Sequence, residues 1–134
     1  MLIRGFDALH TAVAGCHGTD PLERLRAFGM CYRAFALDKP QYYAVMFQGA
    51  LPRTPEYPVV AKHAATAFGV LVTHVSTAMG AGRILSSDPL EVAQQIWASV
   101  HGAVSLELGG LVLTSEAKAT YNTLLDHLLR SLHE

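Results

Sequence analysis

Charge is scarce in this sequence: Asp, Glu, Lys and Arg make up 16% of its 134 residues, against 51% hydrophobic residues. The ten Lys and Arg are scattered and the formal net charge is −1 with His neutral. There is thus no basic footprint for the phosphates of nucleic acid. Cysteine is nearly missing. Cys16 and Cys31 are the only two and no Cys-x-x-Cys occurs; the two could pair, but no signal peptide is visible, so reduced thiols in a cytoplasmic protein are expected. The seven histidines make neither His-x-x-x-His nor His-Glu-x-x-His, and Cys16–His17 is poor ligand spacing. No metal and no cofactor are expected. Catalytic patterns are missing too: no Gly-x-Ser-x-Gly, no glycine-rich phosphate loop after a strand, no paired carboxylates in an apolar setting. Glu107 is the one carboxylate in the middle of an apolar helix, and a solvated or salt-bridged role is expected for it. Enzyme activity is not expected.

What is present is helical periodicity. Leu2, Phe6, Leu9 and Val13 make a stripe that starts at once, without an N-cap, as in the back part of something longer. In "TDPLERL", Asp20 caps, Pro21 suits the first turn and Glu23 completes a capping box. The helix that follows runs to about Leu37 and is apolar nearly all round, which predicts burial on more than one side. "DKPQYYAVMFQG" predicts a short helix from Pro40 to Gly49, and "ALPRTPEYP" a loop. A long helix follows from about Tyr57 to Met79, with Val60, Ala64, Phe68, Leu71, Val75 and Met79 on one face. Its run from His63 to Gly82 holds no Lys, Arg, Asp or Glu, but Thr66, Thr73, His74, Ser76 and Thr77 make it too polar for a comfortable membrane span. A buried helix is expected, with no membrane partner.

"SDPLEV" repeats the capping device at Asp88. An apolar stripe then follows at 90, 93, 97, 100, 104, 108 and 111, flanked by Ala98, Gly102, Ser105 and Gly109. Small residues at that spacing, Gly102 above all, predict a close helix crossing. "GGLVLTS" is a turn, and Thr114 or Ser115 is expected to cap the last helix. That helix should bury Ala117, Tyr121, Leu124, Leu125, Leu128 and Leu132 and keep Asn122, Asp126 and Arg130 wet. No strand pattern competes. The expected fold is one all-α domain over 1–134, a bundle of about six helices ending in an antiparallel hairpin.

The aromatic and sulfur-rich residues exceed what three long helices need as core. Such stripes fill cores routinely, so plain core, in a dimeric module without a ligand, is the default reading; against it, Cys31, Tyr32, Phe35, Tyr43, Met46, Phe47, Phe68, Val72, Trp97 and His101 are the candidate lining of a pocket between helices, apolar with a few polar handles. A competing reading is a free-standing helical dimer binding haem or a similar small molecule through His101 or His74. A buried His bonded to a neighbour is the commoner arrangement.

Trp97, His101 and Gly102, within "QIWASVHGAVSLELGG", together with "YRAFALDKPQYYAVMFQ", resemble the tryptophan–histidine–glycine (WHG) C-terminal domain of tetracycline-repressor (TetR) family regulators. The likeness runs from about Phe6 to Leu132. It implies an all-helical domain that binds a small-molecule effector and forms a homodimer, with the last two helices making a four-helix bundle across the two-fold axis. Leu106, Gly109, Leu113, Tyr121, Leu124, Leu128 and Leu132 are expected at that seam. Such regulators read DNA through an N-terminal helix-turn-helix of about fifty residues. None is seen in this sequence, so DNA binding is expected only through a domain outside it.

Overall fold

The computed structural model describes residues 2–47 and 57–133. Six helices follow one another: α1 (Leu2–Ala14), α2 (Pro21–Asp38), α3 (Pro40–Phe47), α4 (Tyr57–Gly80), α5 (Pro89–Leu108) and α6 (Ala117–His133). The protein is all-α, and no strand occurs among the described residues. The expected end of α3 at Gly49 and most of the proline-rich loop lie outside them.

Helix α2 packs on all five other helices, which explains why its sequence is apolar nearly all round. Leu25, Phe28, Tyr32, Phe35 and Ala36 are buried along it. Its start is capped by Asp20, whose side chain accepts from the backbone N–H of Leu22 (2.8 Å) and Glu23 (3.3 Å). Glu23 reaches back one residue further than a capping box requires. It accepts from the backbone N–H and hydroxyl of Thr19 rather than from Asp20, while Asp20 also takes an ion pair from Arg83 at 3.0 Å. On α1, Gly5, Phe6, Leu9 and Val13 face the core.

By length and composition alone α4 could cross a membrane. In the fold it lies against α1, α2 and α5, with Val60, Ala67, Leu71, Val75 and Ala78 in the shared core.

The close helix crossing lies at Gly29, not at Gly102. A Cβ on Gly29 would sit 2.6 Å from Leu125 Cδ2, and the Tyr121 hydroxyl donates to the Gly29 carbonyl at 2.5 Å. Around Gly102 there is open space. The stripe on α5 holds at its middle, where Ala93, Val100 and Val104 are buried and Trp97 and Leu108 pack against the core, and fails at its ends. Val92, Ala93, Ile96, Val100 and Val104 are buried, whereas Leu90 and Leu111 are exposed. On α6 the buried set is Tyr121, Leu125 and Leu129, and Leu124, Leu128 and Leu132 are half-buried. Its supposed wet face is partly engaged, since Asp126 pairs with Arg26 of α2. Neither Thr114 nor Ser115 directly precedes the helix, which begins at Ala117, and the Thr114 hydroxyl bonds that of Thr120 at 2.6 Å instead.

The cysteines correct a further expectation. Cys16, just past α1, and Cys31, within α2, are joined as a disulfide with Cα atoms 6.4 Å apart, inside the bridging range. Sequence spacing carried no sign that α1 and α2 fold back to bring these two positions together.

Candidate functional site

Where α2, α3 and α5 meet, five polar side chains form a continuous chain beside an aromatic cluster. The Trp97 indole N–H donates to the Tyr32 hydroxyl at 3.0 Å. Tyr32 and Tyr43 hydroxyls lie 2.7 Å apart, and the Tyr43 hydroxyl lies 2.6 Å from His101 Nδ1. His101 Nε2 faces the Ser105 hydroxyl at 3.4 Å.

The direction of this chain follows from its first member. Indole can only donate, so Tyr32 accepts from Trp97 and passes its own proton to Tyr43, which donates to Nδ1. The opposite direction would leave the Tyr32 hydroxyl hydrogen without a partner in a site where Tyr32 is 1% exposed, and a buried orphan donor is costly. His101 is therefore a neutral imidazole with its proton on Nε2, directed at Ser105. Burial lowers the His101 pKa, in keeping with the neutral form. Burial also pushes Tyr32 up to about 12 and Tyr43 further in the same direction. All three stay uncharged near neutral pH. Both nitrogens of His101 are engaged within the chain, so this residue gives the haem reading no support.

Beside this chain lies a small, partly open cavity of about 20 Å³, lined by Phe6, Leu9, Phe28, Tyr32, Phe47, Ala64, Ala67, Phe68 and Trp97. Among the described residues no charged side chain lines it. Its space is that of roughly one water molecule. Phe47 and Phe68 hold the indole of Trp97 at centroid distances of 5.8 and 5.4 Å.

Of the ten residues singled out from sequence, Tyr32, Phe47, Phe68 and Trp97 border the cavity. Tyr43 and His101 stand behind it, as the next links of the polar chain. Met46 packs against Gly5 of α1, and Val72 is half-buried against the core. Cys31 and Phe35 line a different, open groove with Ala8 and Ala12. Phe6, Leu9, Phe28, Ala64 and Ala67 were read from sequence only as core, or not singled out. Nothing in a helical stripe marks which apolar residues leave a gap between them.

A second feature sits at the far end of α5. Arg33 grips Glu107 with two bonds, Nε to Oε1 at 3.0 Å and Nη2 to Oε2 at 2.8 Å, and its guanidinium lies 5.7 Å over the Tyr121 ring. Glu107 is thus salt-bridged. Next to it an apolar surface groove of about 260 Å³ is lined by residues that include Leu106, Leu111, Leu113, Tyr121 and Leu124. Leu106, Leu111 and Leu113 are 51%, 61% and 96% exposed. Tyr121, expected at a dimer seam, is 2% exposed and occupied by its own α2, while Gly109 is exposed and Leu124, Leu128 and Leu132 are half-buried.

The sequence matches the family described as "Tetracyclin repressor-like, C-terminal domain" over residues 25–132. The chain belongs to this family. Among solved structures, a Rhodococcus sp. RHA1 protein of unknown function superposes with a TM-score of 0.82 at 24% identity, over 99% of this chain and 68% of that one. A candidate regulatory protein, SCO4313, superposes with a TM-score of 0.70 at 26% identity, over 96% of this chain and 70% of that one. No curated protein matches the sequence.

Proposed function

We propose that this chain is the effector-binding and dimerisation domain of a TetR-like transcriptional regulator. Its effector is a small apolar or aromatic molecule that enters the cavity beside Trp97, and two copies pair through α5 and α6. DNA is read by a helix-turn-helix outside these 134 residues. The longer chains of both structural neighbours fit that division. Effector in the cavity shifts α1, which contributes Phe6 and Leu9 to the lining, and so biases a two-state equilibrium that sets the spacing of two DNA-reading modules.

The observation that carries this reading is the cavity itself: uncharged in its described lining, ringed by aromatic groups and placed between helices. At about 20 Å³ it is small, and a benzene-sized ligand needs on the order of 150 Å³, so binding enlarges it. The unpartnered leucines at the α5–α6 end and the open space at Gly102 support the pairing. Domains of this family are typically dimeric.

Thermal melting in the presence of a neutral aromatic such as indole tests the cavity. A ligand that binds only the folded state raises the Tm with concentration, by about 2.7 kcal/mol of stability at a hundred times Kd. A panel of neutral aromatics that leaves the Tm unmoved up to millimolar concentration would contradict the reading.

A further inference from the structure

Only two members of the polar chain, Trp97 and Tyr32, border the cavity. The bond between them, 3.0 Å long, is the one link that an occupant can reach. Each partner has a fixed role there: Trp97 donates and Tyr32 accepts, because the Tyr32 proton is committed to Tyr43. We propose that the cavity selects neutral ring-sized molecules bearing one hydroxyl, of the phenol class, which insert that hydroxyl between Trp97 and Tyr32. The proposal rests on the ligand-cavity reading and adds its chemical selectivity.

A hydroxyl is the group that fits both roles at once. It accepts from the indole N–H and donates to the Tyr32 oxygen, leaving Tyr32, Tyr43 and His101 bonded as before. An ether or ketone accepts from Trp97 and leaves the Tyr32 acceptor idle. A hydrocarbon must either leave the link shut or break it without replacement. A carboxylate would carry its charge into a cavity with no cationic lining side chain among the described residues, at a large desolvation cost. Insertion widens the nitrogen–oxygen separation from 3.0 Å to roughly 4.5 Å if the new hydroxyl bonds both groups at ordinary geometry. Space for the ring comes from Phe68, which is itself only half-buried and so has an outward path.

Calorimetric titration at pH 7.5 with phenol, toluene and anisole tests this on the intact chain. Phenol is expected to bind at least tenfold more tightly than toluene, which has nearly its shape, and anisole to fall with toluene. Tyr32→Phe keeps the ring and removes the accepting oxygen, so the phenol preference should shrink below threefold while toluene affinity holds. If that variant does not fold, Trp97→Phe, which removes the donor, should erase the preference in the same way. Phe68→Ala should tighten all three probes. Phenol and toluene binding within threefold of one another in the wild type, or a preference that survives both substitutions, overturns the hydroxyl proposal and leaves the cavity reading standing. Failure of every probe to bind either the wild type or Phe68→Ala overturns the cavity reading, and this inference with it.

Discussion

His101 holds its place by what it accepts. Its Nδ1 takes the Tyr43 proton at 2.6 Å, so the ring ties α5 to α3, and removing it leaves a buried hydroxyl with no acceptor. His101→Ala should therefore cost about 1–3 kcal/mol at pH 7.5. Protonation acts in the same sense. Burial lowers the His101 pKa below the ordinary 6.5, so in acid the unfolded chain binds a proton more readily than the folded one. This contribution to stability is complete above about pH 6.5 and is lost as pH falls below it toward the folded value. His74 is lowered as well, by burial and then by Arg24, and adds a loss of the same sign. Melting curves from pH 7.5 to 5 should fall for the wild type and fall less for His101→Gln, which retains the His74 share. An identical acid loss in the two proteins would show that His101 does not titrate against folding.

Between elements, the bridge from Cys16 to Cys31 pins the end of α1 to the middle of α2 across a separation of 15 residues. A loop of that length corresponds to about 3 kcal/mol of stabilisation by the chain-entropy model. Reduction should lower the melting temperature accordingly, Cys31→Ser should do the same, and reductant should have no further effect on that variant. Equal melting of oxidised and reduced wild type would contradict this. Helix identity and order were legible in the sequence because Asp20, Asp88 and the prolines after them mark starts that stand in the structure. Helix faces were legible only in part. Gly102 and Gly29 both sit in apolar helices, and nothing local distinguishes them. The approach of Leu125 selects Gly29, and that contact joins residues nearly a hundred positions apart. The aromatic cluster could be read from its excess of rings, whereas the cavity could not, since a gap is what packing leaves over and has no residue of its own. The polar chain was half visible, through Trp97 and His101. Tyr32 and Tyr43 entered as pocket lining, and their hydroxyl bonds depend on how α2 and α3 meet.

For the molecule as a whole, the α5–α6 end is the unfinished part. Leu106, Leu111 and Leu113 stand out around a groove that the described residues of their own chain do not fill. Pairing is also what the regulator reading turns on, because two DNA-reading modules must be held at a fixed spacing to match two half-sites. Leu106 is half in solvent, so Leu106→Arg should leave the fold of one copy intact while placing a charge in the seam between two. The most direct measurement is sedimentation equilibrium of the wild-type chain at micromolar concentration, with Leu106→Arg beside it. The wild type should sediment at twice the chain mass of 14.4 kDa, and Leu106→Arg, with unchanged helical content, at the single chain mass. A wild type that sediments as one chain at that concentration would contradict the account.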